Sequence, residues 1–155
     1  MPRTSRVSVK ASIIYLAIGA MLGAILLINR WIPLGSGVYA LRASHVQFLV
    51  VGWLTQLIIG VGWWLFPPLP IGLRGNTGRP LRWGQAQRGS EPLFWAALAC
   101  LNVGILLQAL FEPIYVWTQL GLFSVLSGLS GLLLLIAAVL FVINLWGRVR
   151  ELGKG

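Results

Sequence analysis

The sequence predicts an all-α protein, a four-helix bundle integral to a membrane with both termini inside. Three observations predict it. The 155 residues are 57% hydrophobic and 10% charged, with a mean hydropathy of +0.84, whereas an ordinary soluble domain carries about 25% charged residues. A chain this short has too little interior to hide so much apolar surface from water, so lipid is the solvent that fits. Four apolar runs are each long enough to cross a hydrocarbon core, which takes about 20 helical residues. The basic residues sit between and beyond these runs and not within them.

The first run covers residues 11–29, behind a basic start of Arg3, Arg6 and Lys10. That start is like a signal peptide, but the run is long enough to span, so a retained anchor is expected. The second covers residues 44–66, has no charged residue from Phe48 to Phe66, and stops at Pro67-Pro68. Residues 67–91 form a loop rich in Gly, Pro and Arg. It is expected to be irregular and to lie on the cytoplasmic membrane surface, where its arginines meet anionic headgroups. The third run covers residues 92–111 and ends at a turn through Glu112-Pro113-Ile114-Tyr115. The fourth covers residues 117–146 and is long enough that it must tilt or project into the interfacial zone. Helices are the only option, since an isolated strand would leave its backbone unpaired in lipid and these runs are too long for barrel strands. Residues 1–155 form one membrane domain.

Charge sets the orientation. The N-terminal tail has three basic residues, the 67–91 loop has Arg74, Arg79, Arg82 and Arg88, and the C-terminal tail has Arg148, Arg150 and Lys154. The opposite side has only Arg30 and Arg42. The excess of Lys and Arg marks the cytoplasmic side, so the expected location is the cell inner or plasma membrane, multi-pass, with the lipid bilayer as first partner. Trp31, Trp63, Trp64, Trp117 and Trp146 fall at run ends, where indole rings favour the headgroup zone. Trp53 and Trp95 lie deeper and are expected between helices or against a ligand.

The formal net charge of +9 does not imply nucleic acid, because these charges follow the loops of a membrane protein. Cys100 stands alone and reads as a small buried hydrophobe. There is no phosphate-binding Gly-rich loop, nucleophile motif or carboxylate pair, and no charged residue within a span of the kind transporters use. Asn102 and Gln108 read as structural hydrogen-bonding groups. Glu112 is expected to end its helix in water. Gly121, Ser124, Gly128 and Gly131 form a small-residue seam suited to a helix or dimer interface.

His45 is the only histidine. It lies about one turn into the second run, and an ionisable group there raises a functional site by default. Residues at i+4, i+7, i+11 and i+15 share its helix face: Leu49, Gly52, Gln56 and Gly60, with Thr55 at the border. Such a small, polar face has two readings. One is close helix packing, with Gln56 hydrogen-bonded to a neighbour and His45 bonded to a carbonyl or water. The other is a binding face, with His45 as a metal or haem ligand and Gly52 and Gln56 on the face that a flat macrocycle could approach.

The stretch Leu41-Arg42-Ala43-Ser44-His45-Val46-Gln47-Phe48-Leu49-Val50-Val51-Gly52-Trp53-Leu54-Thr55-Gln56, with Gly60 and the Phe66-Pro67 exit, resembles the second helix of haem–copper oxidase subunit I proteins. It looks most like the C-type oxygen reductases, the nitric oxide reductases and their short relatives. The resemblance covers about 25 residues confidently, on a moderately specific motif. It implies that His45 is an axial ligand of a low-spin haem b, on a helix running from outside to inside. The family uses six histidines for two haems and copper, and this sequence has one. No copper site or high-spin haem ligand carries over, and oxygen or nitric oxide reduction is not expected of this chain alone. A second axial ligand would come from a homodimer, supplying His45 twice, or from a respiratory-complex partner. Met21 is a poor alternative, because its helix runs the other way and places it at a different depth. The expected role is electron transfer or haem-dependent sensing. The alternative is a non-catalytic accessory or structural membrane subunit that has lost the cofactor.

Overall fold

The structure, a computed structural model, describes residues 1–66 and 89–146. The arginines of the 67–88 segment and the C-terminal basic tail lie outside the described residues. Four helices carry the described chain: α1 (Arg3–Trp31), α2 (Ser36–Leu65), α3 (Glu91–Thr118) and α4 (Gly121–Trp146). All four are long and apolar enough to cross a membrane. Large apolar side chains such as Ile13, Ile14, Leu27, Leu132, Leu135 and Val139 face outward. That surface suits acyl chains, and the protein is an all-α, multi-pass membrane protein.

The helix α1 starts eight residues before its apolar run does. Thr4, Ser5, Ser8 and Ser12 lie within it and are buried. Counting apolar residues misses this turn because small hydroxyl side chains score as polar, yet they let two helices approach closely. Helix α2 begins with a 3-10 turn, Ser36–Ala40, continues as α-helix over Leu41–Gln47, widens to π-helix over Phe48–Thr55, and returns to α-helix over Gln56–Leu65. The Thr55 hydroxyl donates to the Val50 carbonyl five residues back, at 2.9 Å, which matches the wider winding.

The expected turn at Glu112-Pro113-Ile114-Tyr115 is instead helix. Helix α3 runs through Pro113 and ends at Gln119, whose φ of 56° is left-handed and whose N–H bonds the Tyr115 carbonyl at 2.7 Å. Proline has no N–H to give the carbonyl four residues earlier, which is that of Ala109. The Ser44 hydroxyl of α2 donates to that carbonyl at 2.7 Å. The orphaned acceptor is therefore satisfied inside the bundle, as a lipid environment demands. Trp117 thus belongs to α3, and its indole N–H reaches the Gly37 carbonyl at 2.9 Å.

Helix α3 begins with Ser90 as N-cap, Glu91 in the first turn and Pro92 behind it. Asn144 of α4 clamps that start: its side-chain oxygen accepts from the Ser90 N–H at 2.9 Å and its amide donates to the Ser90 carbonyl at 3.0 Å. Gly89, at φ 97°, makes the tight entry; a Cβ there would lie 2.8 Å from the Asn144 oxygen. Beside this clamp, Phe94 packs between Trp63, tilted to it with centroids 4.5 Å apart, and Phe141, edge-on with centroids 5.4 Å apart. Trp63 is 2% exposed. It is therefore a core residue, not an interfacial anchor, and its ring packs on Phe94 of α3. Trp31 and Trp146 do stand exposed at helix ends. Trp95 and Cys100 pack against the core, half-buried.

Ser44→Ala should cost about 1 kcal/mol of stability in the native chain. It should cost close to nothing in a Pro113→Ala background, where residue 113 regains an N–H for Ala109. Detergent-denaturant titration in micelles measures both, and equal losses in the two backgrounds would show that Ser44 does not serve this carbonyl.

Candidate functional site

The face of α2 that holds His45 packs along α1 in antiparallel register. Gly60 lies against Ser8, Gly52 against Tyr15, Leu49 against Gly19, and His45 against Gly23. A Cβ on Gly60 would sit 2.8 Å from the Ser8 hydroxyl oxygen; one on Gly52 would sit 2.8 Å from Tyr15 Cγ. Glycine is required where the neighbour is the root of an aromatic side chain, which cannot swing aside. Polar groups tie the same seam. The Ser8 hydroxyl donates to the Gln56 carbonyl at 3.0 Å, and the Gln56 side-chain amide donates to the Ser8 carbonyl at 3.4 Å. Gln56 is fully buried, and its side-chain oxygen has no partner among the described residues.

Gly52 and Gln56, read either as a helix-packing face or as the lining of a cofactor site, both lie against α1. The close approach that Gly52 permits is filled by Tyr15, and Gln56 is turned to Ser8. Neither borders the groove that His45 lines. The smallness of this face serves two helices, and His45 stands at its far end, where the seam opens.

Tyr15 was not singled out in the sequence, and it joins three helices. It stacks on Phe48 of α2 at 5.5 Å between centroids, and its hydroxyl donates to Asn102 of α3 at 2.7 Å. Asn102 in turn donates to the Leu98 carbonyl at 2.7 Å, the structural role expected of it. The available signal was that a tyrosine in the middle of an apolar span needs a partner for its hydroxyl.

His45 is half-buried and turned toward α1. Its Nδ1 lies 2.8 Å from the Gly19 carbonyl oxygen. A carbonyl only accepts, so this nitrogen carries the proton and donates. The proton cannot then sit on Nε2 of a neutral ring, and Nε2 keeps its lone pair. Nε2 has no hydrogen bond among the described residues and is not among the sealed, unpartnered polar atoms. An imidazole with Nδ1–H on a backbone carbonyl and a bare Nε2 is arranged as metal-ligating histidines are. The ring lies over Gly23, where a Cβ would come within 2.6 Å of Cε1.

Beside the ring a groove of about 540 Å³ opens between the end of α1 and the start of α2, within the ~300–1,000 Å³ common for cofactor and ligand sites. Gly23, Leu26, Leu27 and Val46 give it apolar walls, and Arg30, Tyr39 and Arg42 add polar groups. Among the described residues no three His, Cys, Asp or Glu side chains cluster as a metal cage. A porphyrin brings its own equatorial nitrogens and asks the protein for axial ligands only, so one open imidazole suits it.

Glu112, expected to end its helix in water, is half-buried within α3 and accepts a hydrogen bond from the Ser127 hydroxyl of α4 at 2.6 Å. The helix continues past Pro113, so the carboxyl is carried into the α3–α4 contact. The seam of Gly121, Ser124, Gly128 and Gly131 faces outward, with open space where a Cβ would go on each glycine. Helix α4 meets α3 instead through Ser130, Ala137, Phe141 and Asn144. No protein-family model, curated protein or solved structure matches this chain.

Gly52→Ala should destabilise the protein by about 1–3 kcal/mol, since the new methyl overpacks against a fixed ring base. Gly128→Ala should be neutral or stabilising, because nothing lies within 4 Å of that position and alanine is the better helix former. Denaturation of both variants in micelles checks this, and the seam is misassigned if the two behave alike.

Proposed function

We propose that this chain binds low-spin haem b through His45 and serves one-electron transfer or haem-dependent sensing in the cell inner or plasma membrane. The single observation that carries the proposal is the state of the His45 ring: Nδ1–H is held by the Gly19 carbonyl, Nε2 has no hydrogen bond among the described residues, and the residue lines a groove with Gly23, Leu26, Leu27 and Val46. The resemblance of residues 41–56 to the second helix of haem–copper oxidase subunit I proteins supports the same assignment. The bias of basic residues toward the tails and the 67–91 loop supports a cytoplasmic N-terminus, which puts His45 near the outer surface.

When bound, haem supplies reversible one-electron exchange at iron. The chain's own part is binding and tuning. The Gly19 carbonyl fixes the tautomer and rotation of the imidazole. Gly23 leaves room for the ring to approach α1 closely. Leu26, Leu27 and Val46 would give the macrocycle apolar contact. Leu27 and Val46 are exposed on the outside of the helices, so the groove is open to the surroundings of the bundle. The second axial ligand then comes from another chain, either a second copy bringing its own His45 or a respiratory-complex subunit.

A specific observation favours the second reading, an accessory membrane subunit without cofactor: the Gly52 and Gln56 face is fully engaged by α1. The two readings separate in one measurement. Protein purified from haem-replete cells should show a Soret band and a reducible α band, and His45→Ala should lose both. A colourless preparation, or bands that survive in His45→Ala, would overturn haem ligation by His45.

A further inference from the structure

We propose that Arg30 and Arg42 hold the two propionate carboxylates of the haem. This rests on haem ligation by His45 and goes beyond it by assigning the polar edge of the site. Haem b is amphipathic, with an apolar macrocycle and two carboxylates on one edge. A matching site needs an imidazole by the ring, apolar walls, and cations together at one margin.

The groove is zoned in that way. His45, Gly23, Leu26 and Val46 form its inner part, and Arg30 and Arg42 both line it. Arg30 comes from the last turn of α1. Arg42 lies three residues before His45 on the α-helical segment Leu41–Gln47, hence on the same face and one turn nearer the helix start. Arg42 and the last turn of α1 therefore meet at the same end of the bundle. Both arginines are exposed, and no carboxylate pairs with either among the described residues. The acidic residue that shares a separate groove with Arg42 is Glu112, and its Oε2 is already bonded to Ser127.

The charge pattern of the whole chain points the same way. Ten basic residues lie on the expected cytoplasmic side, and Arg30 and Arg42 are the two exceptions. Basic residues on the translocated side work against the orientation signal. Two of them bordering one groove beside the only histidine fit recognition of a dianionic ligand edge. Guanidinium pairs bidentately with carboxylate and holds its charge at any working pH.

The test compares haem b with its dimethyl ester, in which both carboxylates are esterified, by Soret titration of the purified full chain in detergent. The native protein should bind haem b about 10–100-fold more tightly than the ester, from two charge-assisted pairs. Arg30→Gln and Arg42→Gln should each weaken haem b by about tenfold, leave the ester unchanged, and so abolish the preference when combined. Unchanged ester binding also shows that the variants are folded. Equal affinity of the double variant and the native chain for haem b would overturn the assignment. So would a loss in the double variant that disappears when anionic phosphatidylglycerol is left out of the micelles, which would make the arginines lipid contacts. In either case the ester would still report His45 ligation. If the ester and haem b bind His45→Ala as well as they bind the native chain, the ligation itself fails.

Discussion

The antiparallel seam between α1 and α2 is the constraint from which the rest follows. Lipid gives two apolar helices no hydrophobic reason to associate, so close approach and internal hydrogen bonds must hold them. Ser8, Gly19 and Gly23 on one helix meet Gly60, Leu49 and His45 on the other, with Tyr15 set into Gly52. Because the backbones are this close, the His45 ring reaches a main-chain carbonyl of α1 at 2.8 Å. Because Tyr15 lies in the seam, its hydroxyl can extend to Asn102 and bring in α3. The same spacing at i, i+4, i+7 and i+11 thus sets both helix contact and the rotation of the one imidazole.

Polar satisfaction then orders the remaining helices. A proline inside a membrane helix leaves a carbonyl bare, and Ser44 supplies the hydroxyl that Ala109 lacks. Ser44 precedes His45 directly, so the bond that docks α2 on α3 and the bond that docks it on α1 come from neighbouring residues. At the opposite end of the bundle Asn144 secures the first turn of α3 through both its amide atoms. Each device binds one helix to the next, α1 to α2, α2 to α3, and α3 to α4. The His45 groove lies at the loose end of this series, between the last turn of α1 and the first turn of α2.

The four spans and their class were legible in the sequence because lipid solvation rewards long apolar runs. The His45, Leu49, Gly52, Gln56 and Gly60 stripe was legible as a face because it follows helical periodicity. What it faces was not legible, since small residues admit a helix and a flat ligand equally well, and only the partner's position decides between them. The start of α1 was hidden because Thr4, Ser5 and Ser8 are polar by composition and buried by geometry. The continuation of α3 through Pro113 was hidden for a related reason. Proline ends helices unless its orphaned carbonyl is served, and the server is 65 residues away in sequence. Trp63 illustrates the limit of position rules, since a tryptophan at a span's end can as well be buried in the core against Phe94.

The account's central claim is that α1 fixes the His45 ring with its proton on Nδ1 and its lone pair on Nε2. Because the chain has one histidine, a sample labelled with ¹⁵N at histidine alone reports those ring nitrogens without ambiguity. NMR of the haem-free protein should show a protonated Nδ1 and a bare Nε2, and added haem should displace or broaden Nε2 while Nδ1 keeps its proton. A protonated Nε2 opposite a bare Nδ1 would contradict the account, because the ring would then have no hydrogen to offer Gly19.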